Sequence, residues 1–136
     1  MNGKRRYCQA LDLRDDPALI AEYEEAHRLI WPEIAANIRA QGVLDMEIWR
    51  IGTRLFMIMD VDDSFSFDRA AVLADAEPAV GRWEKAMWKY QVPTPWTLPG
   101  GKWTPMERVF SLAGQPAGLA DGGPDGAPAG GGRGRP

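Results

Sequence analysis

The spacing of apolar residues along the chain switches between two periods, which predict strands and helices in alternation. Four segments alternate apolar and polar positions or are apolar throughout, as strands are: Arg6–Leu13, Val43–Ile51, Leu55–Val61 and Met106–Leu112. Two longer segments, Pro17–Gln41 and Phe67–Tyr90, carry apolar residues at helical spacing. The order β-α-β-β-α-β predicts an α+β fold, the ferredoxin-like sandwich with both helical regions on one face of an antiparallel sheet.

Proline and glycine mark where the first helical region should begin, bend and end. Pro17 follows an aspartate, a pair that suits an N-cap and the first helical position, and Gly42 suits a left-handed end. Pro32 removes a backbone donor within this region and crowds the turn before it. We therefore expect a kink at residues 28–31, directly after His27.

The second half of the chain contains another proline break and a tryptophan-rich loop. The residue before Pro78 is pushed out of helical geometry, which should interrupt the second helical region. Val92–Trp103 contains three prolines, two glycines and two tryptophans, a composition that predicts an ordered loop. Its Trp96 and Trp103 are suited either to covering a pocket or to sealing a subunit contact.

A sheet with helices on one face leaves its other face uncovered. The strand Leu55–Val61 is apolar on both faces, which is typical of a strand in the middle of a covered sheet. An apolar face of this size should not be exposed to water. We therefore expect a homodimer that packs sheet against sheet, as dimeric α+β barrel proteins do.

The C-terminal stretch differs in composition from the rest of the chain. Residues 114–136 contain 9 Gly and 4 Pro in 23 positions and no aromatic residue. Such a segment cannot bury enough apolar surface to offset its chain entropy. We expect one folded α+β domain over 4–112, which holds all six tryptophans, and a disordered Gly/Pro-rich tail over 113–136.

Charge and composition argue against several classes of function. The net charge is −3 and no basic face is visible, so no nucleic-acid partner is expected. No apolar run is long enough for a membrane span or a signal peptide, which predicts no membrane partner and a cytoplasmic location. Cys8 and His27 are the only Cys and His, and phosphate-binding loops are absent, so we expect neither a metal nor a cofactor.

The candidate chemistry lies in the first helical region. Tyr23, His27 and Trp31 recur at i, i+4 and i+8, which would align a phenol, an imidazole and an indole along one helix face. An acid/base group between two aromatic surfaces suits a small polyhydroxylated ligand. The alternative is an ordinary amphipathic helix with a half-exposed histidine and a tryptophan that only seals the helix against the sheet.

Sugar mutarotation, the interconversion of the α and β anomers, suits an imidazole between two aromatic side chains. A base takes the proton of the anomeric hydroxyl, an acid protonates the ring oxygen, and the opened ring closes on its other face. Positioning and general acid/base catalysis supply the modest acceleration that this reaction needs. The small-molecule partner is then a monosaccharide.

The run Tyr23-x-x-x-His27-x-x-Ile-Trp-Pro-Glu33 resembles the signature helix of the L-rhamnose mutarotase family. The similarity extends from about Tyr7 to Leu112. It implies a small dimeric α+β isomerase that interconverts the anomers of an L-6-deoxyhexose, without a cofactor.

The resemblance implies that His27 is the catalytic proton donor and that Tyr23 binds the sugar. Met46 stands where the family has a second tyrosine, and Trp83-Glu84 stands where it has two tryptophans. Trp83 carries over as a stacking surface, whereas Glu84 adds a hydrogen-bond acceptor and Met46 removes one. The changed positions favour L-fucose as the substrate, with L-rhamnose next.

Two other functions fit the same fold plan. A haem-degrading protein of the dimeric α+β barrel type would use His27 as an axial ligand of haem. A monooxygenase of the same type would oxidise an aromatic substrate with oxygen. A non-catalytic sugar-binding module would keep its affinity when His27 is replaced.

Overall fold

The computed structural model describes residues 5–118. Residues 5–106 form one compact unit, and residues 107–118 belong to a second one. No helix among the described residues is long and apolar enough to cross a membrane.

The first unit contains five strands and four helices. In chain order they are β1 (Arg5–Leu13), α1 (Pro17–Ala26), α2 (Pro32–Ala40), β2 (Val43–Ile51), β3 (Arg54–Val61), α3 (Phe67–Asp75), α4 (Pro78–Met87), β4 (Gln91–Val92) and β5 (Thr104–Pro105). Each predicted helical region is thus a pair of helices.

The strands form one antiparallel sheet in the order β2-β3-β1-β4, and β5 pairs with β1 beside β4. A two-residue turn at Gly52 joins β2 to β3, and Ile51 pairs with Arg54. This is the strand order of the ferredoxin-like sandwich, so the predicted fold class is confirmed.

Both breaks in the helical regions lie where proline predicted them. α1 begins after Asp16, whose carboxylate accepts from the backbone N–H of Ala18 at 2.9 Å. It ends at Ala26, and α2 starts afresh at Pro32, so the expected kink is a complete interruption. Pro78 begins α4 in the same way.

The core lies between the helices and one face of the sheet. Every second residue of β1 and β3 is buried there; these are Gln9, Leu11, Leu13, Leu55, Met57, Met59 and Val61. One cluster joins Leu13 and Leu55 to Tyr23, Trp83 and Met87, and another gathers around Phe65. Trp103 packs against both clusters.

The opposite face of the sheet has an apolar centre between two ion pairs. Phe56 and Ile58 of β3 lie beside Ala10 and Cys8 of β1. Trp49 of β2 extends this surface and is 61% exposed. Arg6–Asp60 and Arg54–Asp12, each at 2.8 Å, flank it at the two ends of the strands.

The predicted last strand, Met106–Leu112, is wrong. The edge of β1 is instead occupied by the shorter β4 and by β5, and the pairing ends where Met106 N–H donates to the Cys8 carbonyl. Residues 107–118 contain no helix or strand. The predicted tail over 113–136 lies mostly outside the described residues and stays a prediction.

Candidate active site

A cavity of about 320 Å³ lies between the helices and the sheet. This volume is at the lower end of the range of about 300–1,000 Å³ that is typical of small-ligand sites. All five residues predicted from the sequence line it: Tyr23, His27, Met46, Trp83 and Glu84. The fold therefore brings together residues from α1, β2 and α4.

The end of α1 orients the His27 ring. The His27 N–H donates to the Glu24 carbonyl three residues back, which tightens the last turn. The Tyr23 carbonyl, four residues back, lies 2.9 Å from His27 Nδ1. A carbonyl only accepts hydrogen bonds, so Nδ1 carries the proton and Nε2 carries the lone pair.

The His27 ring lies between two aromatic rings. Its centroid is 4.2 Å from that of Tyr23 and 5.3 Å from that of Trp83, which meets it edge to face. Trp31 packs against the far side of Trp83 at 5.2 Å and is not a cavity residue. The predicted line of three aromatic rings on one helix face is wrong at Trp31, because the helix is interrupted before it.

Burial keeps both candidate groups neutral. It lowers the pKa of His27 below the ordinary value, and the hydrogen bond to the Tyr23 carbonyl offsets only part of this effect. Burial raises the pKa of Tyr23 to about 12. At neutral pH the site thus offers an imidazole that accepts a proton and a phenol that keeps its own.

Among residues 5–118, two buried polar side-chain atoms lack a hydrogen bond, and both belong to cavity residues. They are the Tyr23 hydroxyl and Gln91 Oε1. The Gln91 side chain is near enough to Tyr23 to lower the phenol pKa slightly, yet the two groups do not form a hydrogen bond of ordinary geometry. Unpaired buried polar atoms are rare in folded proteins, and a bound ligand is one way to satisfy them.

Sequence reasoning missed Gln9 and Gln91 as cavity residues, whereas Trp103, expected either to cover a pocket or to seal a subunit contact, lines the cavity. Gln9 had a signal, because it is the polar position on the buried face of β1. Its Nε2 lies 3.6 Å from Sδ of Met57, its paired residue on β3. Gln91 had no local signal, since β4 has only two residues.

The two positions that depart from the family pattern occupy different parts of the cavity wall. Met46 pairs with Met59 on the neighbouring strand and gives an apolar wall. Glu84 is 49% exposed, and Lys102 Nζ lies 2.5 Å from its Oε1. Trp96 is not a cavity residue; its ring lies 5.3 Å from the Arg54 guanidinium.

Tyr23 and His27 also border a second cavity, of about 400 Å³. It is lined further by Glu24 and Arg50, whose charged groups are 2.6 Å apart, and by the hairpin residues Ile48, Trp49 and Leu55. Residues 5–118 contain no group of three or more His, Cys, Asp or Glu arranged to hold a metal ion.

Comparison with known proteins places this chain in a recognised family. The family model described as L-rhamnose mutarotase matches residues 6–112. An L-fucose mutarotase of Xanthomonas campestris pv. campestris is 40% identical over 111 residues, which are 80% of this chain and 89% of that protein. An L-rhamnose mutarotase of Acidiphilium cryptum is 32% identical over 110 residues, covering 76% and 95% of the two chains.

A solved structure supports the fold. The crystal structure of an L-rhamnose mutarotase from Formosa agariphila superposes with a TM-score of 0.59 at 21% identity, covering 79% of this chain and 98% of that one. At this level of identity, the likeness concerns the fold alone.

Proposed function

Because the chain belongs to the L-rhamnose mutarotase family, we propose that it is an isomerase that interconverts the α and β anomers of an L-6-deoxyhexose. The observation that carries the proposal is the neutral His27 ring, held by its Nδ1 between Tyr23 and Trp83 at the cavity. Its Nε2 has no hydrogen-bond partner among residues 5–118 and is available to a ligand.

His27 serves both proton transfers in this mechanism. Nε2 takes the proton of the anomeric hydroxyl while the bond between C1 and the ring oxygen breaks and a carbonyl forms at C1. The imidazolium then gives the same proton to the ring oxygen, which is bonded to the same carbon in the closed sugar. Rotation about the C1–C2 bond and reversal of these steps yield the other anomer, and no proton is gained or lost.

The remaining cavity residues bind and orient the sugar. Trp83 offers an aromatic edge and face for the apolar side of the pyranose. The Tyr23 hydroxyl and the Gln91 carbonyl oxygen, both unpaired, suit sugar hydroxyls. Met46, Met57 and Met59 form an apolar wall that suits the methyl group of a 6-deoxy sugar.

L-fucose is the first candidate substrate and L-rhamnose the second. The L-fucose mutarotase is 40% identical to the chain over 111 aligned residues, against 32% over 110 for the L-rhamnose mutarotase. Met46 and Glu84, which depart from the family pattern, lie on the cavity wall, where their side chains would contact the sugar and distinguish one hexose from another.

Anomer exchange measured by NMR saturation transfer tests the function. We expect the wild type to accelerate exchange of L-fucose and L-rhamnose more than that of L-galactose, which carries a 6-hydroxyl in place of the methyl group. His27→Ala should lose about 100-fold or more of the acceleration, as expected for a lost acid/base group. Arg28→Ala, at an exposed neighbouring residue, should retain it.

The outcomes separate the three functions. No acceleration of either 6-deoxy sugar by the wild type would refute the proposal. Binding of L-fucose without acceleration, unchanged in His27→Ala, would indicate a sugar-binding module. A visible haem band in the purified protein would favour the haem-binding alternative.

The pH profile gives a second readout of His27. The proton acceptor must be unprotonated, so activity is present above the pKa of His27 and is lost as the pH falls through it. Since burial lowers this pKa, the acidic limb of kcat/KM should have its midpoint below 6.5 once spontaneous exchange is subtracted. A midpoint at or above 6.5 would contradict a buried neutral imidazole.

We further propose that the active protein is a homodimer in the cytoplasm. The apolar centre of the outer sheet face, at Phe56, Ile58 and Trp49, supports the dimer, because a second copy packed on it would remove this surface from water. The cytoplasmic location stays a prediction from the sequence.

A further inference from the structure

Lys102 brings a positive charge to the rim of the cavity. Its Nζ lies 2.5 Å from Glu84 Oε1 and 3.3 Å from the Glu84 carbonyl oxygen. It also lies 4.7 Å from the centre of the Trp88 ring. The Lys102 side chain is only 13% exposed. Its ammonium thus contacts the carboxylate and the carbonyl of Glu84 on α4 and the ring of Trp88 at the end of that helix.

The Glu84 carboxylate pairs with Lys102 and acts on the Tyr23 phenol, whose pKa is raised first by burial and further by the Glu84 charge. Oε1 is engaged by Lys102, whereas Oε2 has no hydrogen-bond partner among residues 5–118. Glu84 lines the cavity. A carboxylate oxygen accepts a stronger hydrogen bond from a hydroxyl than a neutral acceptor does.

The loop that carries Lys102 is fixed by its own hydrogen bonds. The hydroxyls of Thr94 and Thr97 are 2.9 Å apart, and those of Thr97 and Thr104 are 2.6 Å apart. The next residue, Trp103, lines the cavity and packs against both core clusters. The ion pair therefore joins a rigid loop to α4 across the cavity rim.

We propose, on the basis of the proposed function, that Lys102 is a positioning residue for sugar selectivity, which holds the Glu84 carboxylate so that its free oxygen accepts one hydroxyl of the substrate. Lys102 does not touch the reacting atoms in this arrangement. The Glu84 side chain is 49% exposed, so solvent screens the ion pair and limits its contribution to stability, and we expect the loss of Lys102 to act mainly on substrate recognition.

A double-mutant cycle tests the coupling. KM and kcat for anomer exchange are measured with L-fucose and L-rhamnose for the wild type, Lys102→Met, Glu84→Gln and the double variant. We expect each single variant to raise KM for the preferred sugar by about fivefold with little change in kcat, and to narrow the preference between the two sugars. In the Glu84→Gln background, Lys102→Met should change KM by less than about twofold, because its partner is already gone.

Two controls isolate the role of position from that of charge. Lys85→Met removes a neighbouring exposed lysine of α4 and should leave KM unchanged. Lys102→Arg keeps the positive charge and should therefore retain most of the wild-type preference between the two sugars, unlike Lys102→Met. Thermal unfolding of each variant shows whether any change in KM comes from a damaged fold.

The result that would overturn the proposal is an unchanged sugar preference in Lys102→Met, or an equal effect of that change with and without Glu84. Failure of the mutarotase function is a separate outcome: the wild type would then accelerate no anomer exchange. Tryptophan fluorescence titration with the same sugars would still test the Lys102–Glu84 coupling through binding, and absence of sugar binding would refute both proposals.

Discussion

The Tyr23 hydroxyl shows at the scale of one residue how the cavity is suited to a ligand. The phenol is buried beside His27, and its oxygen has no hydrogen-bond partner. Leaving such a group unpaired costs about 1–3 kcal/mol. A sugar hydroxyl that binds there would recover part of this free energy.

Tyr23→Phe should therefore separate stability from binding. We expect the free energy of unfolding of the sugar-free protein to stay the same or to rise by up to about 1 kcal/mol, because an unpaired polar atom is removed. KM for the sugar should rise by about fivefold or more, since one hydrogen bond to the substrate is lost. Denaturant unfolding and anomer-exchange kinetics measure the two quantities.

Tyr90→Phe is the matched control. The Tyr90 ring meets Tyr23 edge to face at 5.9 Å, but its hydroxyl contacts Glu22 at 3.2 Å outside the cavity. Its loss should cost up to about 1 kcal/mol of stability and leave KM unchanged. A large loss of stability in Tyr23→Phe would contradict this account, because it would show that the Tyr23 hydroxyl makes a hydrogen bond in the sugar-free protein.

Individual site residues differ in how far the sequence reveals them. His27 and Tyr23 lie one helical turn apart on α1, so local spacing alone predicts that they meet. Gln91 and Lys102 come from short strands and loops, and only tertiary folding brings them to the cavity. No local pattern could therefore identify them.

At the scale of elements, Gly42 fixes the passage from α2 to β2. Its φ is +100°, and a side chain there would meet Asp62 and Ser64 at 2.6 Å. The Ser64 hydroxyl and N–H both donate to this Asp62 carboxylate, which lowers the pKa of Asp62 and holds the turn. Both the backbone conformation and the space at this position require glycine.

Gly42→Ala should destabilise the protein by about 1–3 kcal/mol or more, because of the strained backbone and the clash. Gly81→Ala is the control: it lies within α4, where an added Cβ meets no atom within 4 Å. That change should raise stability by up to about 1 kcal/mol through the lower entropy of the unfolded chain. Equal effects of the two changes in denaturant unfolding would refute this account.

The helical regions were predictable in type and less so in continuity. Proline predicted a disturbance at residues 28–31, and the structure has a full interruption there. Past that point the helical phase of α1 is lost, so Trp31 leaves the face that Tyr23 and His27 share. The prediction of a final strand at 106–112 was wrong for another reason. Pairing with β1 depends on which residues reach the open edge of that strand, and the local pattern at 106–112 does not encode this.

At the scale of the whole molecule, the proposed homodimer rests on the outer sheet face. Ile58 lies near its centre, between Cys8 and Glu47 on the neighbouring strands. We expect light scattering to give a dimer for the wild type. Ile58→Lys should give a folded monomer, because a charge at the interface must be desolvated while Glu47 can pair with it in the monomer.

Val72→Lys is the control on the helical layer. Val72 lies on α3 and is 68% exposed, so this change should leave the dimer intact. A monomeric wild type at micromolar concentration, or a dimer that survives Ile58→Lys, would refute sheet-against-sheet packing.

The bond from His27 Nδ1 to the carbonyl of Tyr23 is made within a single turn of α1. The tautomer of the imidazole is therefore set by the local segment from Tyr23 to His27 and does not depend on the opposite wall of the cavity. In the proposed function, proton transfer and sugar recognition are therefore separable: we expect exchange of Met46 or Glu84 to change which hexose binds, while proton transfer by His27 stays the same. Redesign for another deoxy sugar should begin at those two side chains.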